Sequence, residues 1–364
     1  VIYYYKSKKI DPPYQGHFEK KLSKEFSRYM HGGYSLPVSS GTSAAFVAIQ
    51  SLMLKKNSEI LISPVNDSGP INSVFFLNLK PILLDSKINS YNSNLDQIKK
   101  KITKKTKAVL LAHIGGMSSE IGKISKYLKQ KKILLIEDCS QAAGAECYQC
   151  KKRCTTCINR KVGEFGDVSF FSTMYRKNIA SAGSGGIVFT KNISIFKNIQ
   201  SCADRGKQPW KKINQNDPSK CIYPALNHNT NEFSSAITLS SLKRLNRTNY
   251  LRKKIIKYLI KKMAKCEICK PSYFDNGFSP FFFPIEVNEN SLKVSKLKFA
   301  KDLKNLGVGL LEEYNCIISK WKWAKKYFSK DFNAENAFRY SKKTFNLFIN
   351  ENFTKNQINK IIDK

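Results

Sequence analysis

Short apolar runs alternate with longer stretches of helical periodicity through the first two-thirds of the chain, the pattern of strands and crossover helices in an open α/β sheet. The candidate strands are EILIS (59–63), PILLD (81–85), KAVLLAH (107–113), ILLIED (133–138), DVSFF (167–171) and GGIVFT (185–190). Most are apolar on consecutive positions rather than alternate ones, so helices should cover both faces of the sheet. One helix should open after Gly41 (TSAAFVAIQSLML) and another after Thr190 (NISIFKNIQSC). From Glu232 the periodicity is helical for some thirty residues, long enough to bridge two units. Beyond it FFFPIEV (281–287), a helical segment from Ser291 to Leu306 and the closing NFTKNQINKIIDK suggest a small α+β unit. The expected division is a large domain over 1–245 and a small C-terminal domain over 246–364, packed together because no Gly-, Pro- or Ser-rich linker separates them.

Composition changes this picture little. With 364 residues and 41% hydrophobic content the chain can bury a substantial core. No apolar stretch approaches the roughly 18 residues that cross a bilayer. VIYYYKSKKIDPPY lacks the order of a secretion signal, so a soluble, cytoplasmic protein is the expectation. The formal charge of +36 raises nucleic acid as a partner, but the lysines are scattered, as in IKKKITKKTK (98–107), and not gathered into an arginine-rich stripe with interleaved aromatics. A solvated, lysine-biased surface is the preferred reading.

Ten cysteines are unevenly placed. Cys147, Cys150, Cys154 and Cys157 form C-x2-C-x3-C-x2-C inside a Cys-rich segment over 146–161, and a further pair reads Cys266-Glu-Ile-Cys269. The four-cysteine spacing is read as a structural zinc knuckle in preference to four free thiols. Combined with the charge, it also defines one alternative function, a basic metal-knuckle nucleic-acid binder.

Three other clusters carry chemistry in a consistent order. Ser39-Ser40-Gly41-Thr42-Ser43 lies where a helix begins, so hydroxyls and N–H groups at a positive helix end could cradle a phosphate. Ile136-Glu137-Asp138 ends an apolar strand, which puts Asp138 at the carboxyl edge where α/β sheets bind ligands. Gly166-Asp167-Val168-Ser169-Phe170-Phe171-Ser172 is followed by Lys177 and the flexible Ala182-Gly183-Ser184-Gly185-Gly186. Anion donors, an acid and a lysine are three of the four things that pyridoxal 5'-phosphate (PLP) requires, the fourth being a wall for its ring.

These motifs resemble the DegT/StrS family of PLP-dependent sugar aminotransferases, which have the fold-type-I, aspartate-aminotransferase-like architecture. The resemblance runs from about Phe18 to the C-terminus on SSGT (39–42), IEDCSQAAGA (136–145), GD-x-x-x-F-S-x-x-x-x-K (166–177), GSGG (183–186) and LNHNTNEFSSAI (226–237). It implies a mostly parallel, seven-stranded-type sheet with a small α+β domain. It further implies that Lys177 holds PLP as a Schiff base and moves the proton between donor and cofactor. Asp138 would keep the pyridine nitrogen protonated and Gln141 would bond the ring's hydroxyl side, while Thr42, Ser43 and Ser172 would hold the phosphate. Asn227 matches an asparagine that reaches the neighbouring subunit's phosphate, which implies a homodimer with shared sites. The implied reaction carries an amino group from glutamate or glutamine to a nucleotide-linked keto-sugar, for amino-sugar or surface-polysaccharide biosynthesis. Retention of Lys177 disfavours the dehydratase branch of this family, in which that lysine is replaced.

Several residues depart from the family pattern. Where it has Pro-x-x-Thr-aromatic, with the aromatic stacked on the ring, this chain has Pro64-Val65-Asn66-Asp67-Ser68, and Asn229 stands where an arginine is frequent. Thr173-Met174-Tyr175-Arg176 replaces the common residues before the lysine, and the Cys-rich segment occupies the place of a shorter hairpin. The missing ring wall motivates a second alternative, a PLP-binding regulatory or divergent member without aminotransferase activity. His113 reads equally as a core histidine and receives no catalytic role; Arg205 could meet a substrate anion or pair with Asp204 and is left unassigned.

Overall fold

All six apolar runs become strands of one sheet. The structure, a computed structural model, describes residues 1–148, 157, 159–328 and 331–363. Its first sheet contains β1 (Tyr34–Val38), β2 (Glu59–Ile62), β3 (Lys80–Leu83), β4 (Thr106–Ala112), β5 (Leu134–Asp138), β6 (Val168–Ser172) and β7 (Gly186–Thr190), in the order β1-β7-β6-β5-β4-β2-β3. Neighbours from β6 through β3 pair in parallel, and β7 runs against both β1 and β6. Every residue of β2 and β7 is buried, as expected for a sheet covered on both faces. Because β1, β2, β4, β5 and β6 share one direction, their carboxyl ends reach a common edge, where ligands bind in open α/β sheets.

The second sheet is antiparallel: β8 (Cys269–Pro271), β9 (Phe282–Val287), β10 (Leu310–Leu311) and β11 (Thr344–Phe348), in the order β10-β11-β9-β8. A 31-residue helix, Glu232–Lys262, joins the two. Asn231 starts it by accepting the Ser234 N–H, and Lys261 and Lys262 sit in its last turn, where cations oppose the helix dipole favourably. Leu239, Leu242 and Leu245 bury in a cluster with Phe26 of the helix His17–Tyr29 and with Phe171 and Phe189 on the first sheet; Ile255, Ile256 and Leu259 bury with Phe283, Ile285 and Leu347 on the second. Each such side chain contributes about 1.5–3 kcal/mol of burial, so one helix ties both cores together. Residue 245, the expected point of division, lies inside it.

The helix His17–Tyr29 packs on the beginning of that long helix. Glu232 accepts the N–H groups of Phe18 (2.8 Å) and Glu19 (2.9 Å) and the hydroxyl of Tyr5. Glu19 is therefore held in the interior, and burial, with the nearby Glu232 charge adding to it, pushes its carboxyl up to about 7. A carboxyl raised in the folded state stabilises fully below its ordinary value near 4.5 and loses that contribution as pH rises towards 7. Glu19→Gln, which can still accept the Gln15 N–H, should therefore gain stability over the parent at pH 8, by up to about 3 kcal/mol, and match it near pH 4. Chemical denaturation at the two pH values checks this; no gain at pH 8 would refute it.

The Cys-rich segment closes at its base as a hairpin neck. Val162 N–H donates to Ala145 (2.8 Å), Cys147 N–H to Arg160 (3.0 Å), and Glu146 bridges Lys161. Cys147 and Cys157 are buried in the apolar cluster that includes Leu128 and Phe165. Cys150 and Cys154 lie outside the described residues, so the expected four-thiolate set is not assembled among those described.

Candidate active site

The carboxyl edge of the first sheet carries a cavity of about 290 Å³, close to the lower end of ligand-sized pockets. Five of the seven residues expected to handle the cofactor line it: Thr42, Asp138, Gln141, Ser172 and Lys177. Thr42 comes from the helix after β1, Asp138 and Gln141 from the end of β5 and the turn after it, and Ser172 and Lys177 from the end of β6 and the loop after it, so the order of the sheet brings them together.

The helix Gly41–Gln50 starts at this edge directly after β1. Ser40 caps it, accepting the Ser43 N–H at 2.9 Å, which leaves the N–H groups of Gly41 and Thr42 at a helix start without intrahelical acceptors. Gly41 lies so near Ser172 that a Cβ would fall 2.7 Å from the serine Oγ. A backbone amide, the hydroxyls of Thr42 and Ser172 and a helix dipole on one wall of the cavity are a set that could hold an anion such as a phosphate. Ser43 stays out of it: its hydroxyl bonds those of Ser39 (2.9 Å) and Ser40 (3.0 Å) and completes the cap. Asn227 is exposed and outside the cavity, its Oδ1 accepting the Asn229 N–H at 3.0 Å.

Asp138 ends β5 and is buried, with Oδ1 accepting the Ser140 N–H at 3.0 Å. Burial raises its carboxyl above the usual range, against the hydrogen bonds from Ser140 and the charge of Lys177. A buried carboxylate so short of positive charge suits a protonated pyridine nitrogen. Gln141 is clamped at both ends: Oε1 accepts the Gly115 N–H (2.9 Å) and Nε2 donates to the Tyr314 hydroxyl (2.8 Å). Gly116 beside it has φ +86° and packs on Ser279, where a Cβ would lie 1.6 Å from the carbonyl oxygen, so only glycine fits that turn.

Lys177 sits in the loop between β6 and β7, its N–H donating to Met174 at 2.9 Å. That loop is pinned by Thr173 to Gly185 (2.9 Å), Tyr175 to Gly183 (3.1 Å) and Ser181 to Thr173 (2.7 Å). The following Asn178 is buried in a polar network: its Nδ2 donates to Asn249 and Ser279, and its Oδ1 accepts Arg252, which also pairs with Glu351 at 2.8 Å. The Lys177 amine lies 4.5 Å from the centroid of Phe281. Burial lowers its pKa, while Asp138, then Asp67, act in the opposite direction.

Sequence reasoning assigned no site role to Asn66, Asp67, Pro70, Met174, Ser184 or Cys316, which also line the cavity. Only the departure from the Thr-aromatic pattern drew notice to 67 and 68. Ser68 is exposed and off the cavity, whereas Asp67 is on it. His113 lines the cavity from within the core. Its Nδ1 accepts the Ser119 N–H (3.2 Å), so Nε2 carries the proton and donates to Glu137 (3.2 Å). Glu137 also accepts the N–H groups of Gly163, Phe165 and Gly166, which anchor the chain entering β6. Arg205 pairs with Asp204 at 2.7 Å.

The cavity thus gathers a lysine, a buried acid and a helix start. Residues 6–364 match the DegT/DnrJ/EryC1/StrS aminotransferase family. The chain belongs to that family. This makes it a PLP-dependent aminotransferase by class, and the solved relatives share its fold. It resembles the GDP-4-keto-6-deoxy-D-mannose-3-dehydratase of E. coli with bound hydrated PLP, with TM-score 0.85 and 24% identity over 96% of this chain and 91% of that one. It also resembles Helicobacter pylori PseC, an aminotransferase involved in the biosynthesis of pseudoaminic acid, with TM-score 0.86 and 20% identity over 97% and 91%. Among curated proteins, the GDP-perosamine synthase of Escherichia coli O157:H7 is 29% identical over 182 residues, 50% of this chain and 47% of that protein. Among the described residues no helix is long and apolar enough to cross a membrane.

Proposed function

We propose that this family member transfers an amino group from glutamate or glutamine to a nucleotide-linked keto-sugar in two half-reactions, in amino-sugar or surface-polysaccharide biosynthesis. The observation that supports it is one cavity holding Lys177, Asp138 and the start of the Gly41–Gln50 helix together. PLP, when bound, supplies a carbonyl that carries the amino group and a ring that accepts electrons from the donor carbon.

The chain's own groups supply the rest. The N–H groups of Gly41 and Thr42 and the hydroxyls of Thr42 and Ser172 hold the phosphate. Asp138 keeps the ring nitrogen protonated by offering a buried carboxylate that gains a counter-charge there. Gln141, fixed by Gly115 and Tyr314, borders the ring's hydroxyl side. Lys177 would hold the cofactor through its amine and would be the base that moves the donor carbon's proton; burial favours its uncharged, basic form. Asn227, exposed and off its own chain's cavity, is assigned to the phosphate of a second copy in a homodimer with shared sites.

Titration of the PLP-loaded protein with glutamate and with glutamine tests the reading: the visible absorbance should fall with at least one donor and return on addition of the accepted keto-sugar. A second reading, a PLP-binding member without transamination, is favoured by the absence of an aromatic at Ser68, and predicts constant absorbance with every donor. The zinc knuckle at Cys147, Cys150, Cys154 and Cys157 is a separate proposal on spacing alone. Less than about half an equivalent of zinc in anaerobically purified protein would reject it.

A further inference from the structure

The charges around the cavity are unbalanced. Its lining holds two carboxylates, Asp67 and Asp138, and one lysine; the ring nitrogens of His113 are taken up by Ser119 and Glu137, and among the described residues no arginine reaches the cavity. Asp138 is buried at the end of β5, whereas Asp67 is exposed, so it is met by whatever enters. Its Oδ1 caps the helix Ser68–Phe76 by accepting the Gly69 N–H at 3.0 Å, and its Oδ2 takes no hydrogen bond among the described residues. The cap does not need a charge, since asparagine caps equally well. Its negative charge is felt at the reacting amine and at the Cys316 thiol on the same wall.

We infer that Asp67 is a specificity-determining residue that favours a donor without net charge, glutamine, over the anionic glutamate. The inference rests on the transamination reading and decides between its two donors. In either case the donor carbon would give up its amino group, its hydrogen as a proton and the electron pair of that C–H bond, all received at the aldehyde carbon of the cofactor, and would take that aldehyde's oxygen, leaving as a 2-oxo acid; no outside oxidant is required. The two donors carry the same α-amino and α-carboxylate groups. They differ in the side chain, a neutral amide in glutamine and a carboxylate in glutamate, and a carboxylate brought into a small cavity already rimmed by Asp67 meets like charge at short range.

Asp67→Asn isolates the charge because it keeps the cap. In the PLP-loaded parent, kcat/KM should favour glutamine over glutamate by about tenfold to a hundredfold, and D67N should shrink that ratio about tenfold, through KM for glutamate. Calorimetry with two unreactive mimics, glutarate and its monoamide glutaramate, reads the same discrimination without turnover: the parent should bind glutaramate more tightly, and D67N should close the gap. A parent that prefers glutamate, or a preference unchanged by D67N in both assays, overturns the inference. If neither amino acid bleaches the cofactor the transamination reading fails, and the two mimics still report separately on Asp67.

Discussion

Lys177→Ala should abolish transfer, lowering kcat by about 10⁴-fold or more with every donor, because no other amine lines the cavity among the described residues. Lys177 has little part in folding: its backbone N–H makes the turn to Met174, which alanine keeps, and its side chain ends against Phe281. The melting temperature should therefore stay near the parent's while turnover vanishes. Retention of more than a hundredth of the parental rate would remove Lys177 from the chemistry.

The second large effect is expected at Asp138. Asp138→Asn preserves the shape and the acceptor for Ser140 N–H but takes away the buried negative charge. Without it the ring nitrogen loses its proton and the ring its pull on electrons, so kcat should fall by about 10²–10³-fold while PLP binding weakens less, the phosphate cradle being intact. The variant should also be at least as stable as the parent without cofactor, since the parent's carboxyl is buried without full compensation. Turnover within about tenfold of the parent would contradict the assignment.

The parallel core was legible in the sequence because its strands are continuous apolar runs, from EILIS to GGIVFT, and the long helix because its periodicity persists for eight turns or so. β1 was not: YSLPV mixes polar residues with Pro37, which a strand at the sheet's edge can hold without breaking a ladder on both sides. β11 was hidden by Thr344 and Asn346, polar residues that are fully buried, Thr344 bonded to the carbonyl of Tyr340 and to the Tyr91 hydroxyl. At the site, the motifs marked the residues that end strands, Asp138 and Ser172, and the lysine in register with them. Residues brought in by folding across long sequence distances carry no local pattern. Cys316 joins the cavity because the 316–318 segment bonds back to Asn66 and Pro64, and Tyr314 because it meets Gln141. Conversely, Ser43 and Asn227 stand beside the right motifs, yet local capping bonds occupy the first and exposure at the surface leaves the second off its own chain's cavity.

The most direct test is chemical. Protein purified with PLP, reduced with borohydride and digested should yield one cofactor-bearing peptide with the modification on Lys177. A label on another lysine, or no label at all from protein that has taken up PLP, would contradict the account at its root.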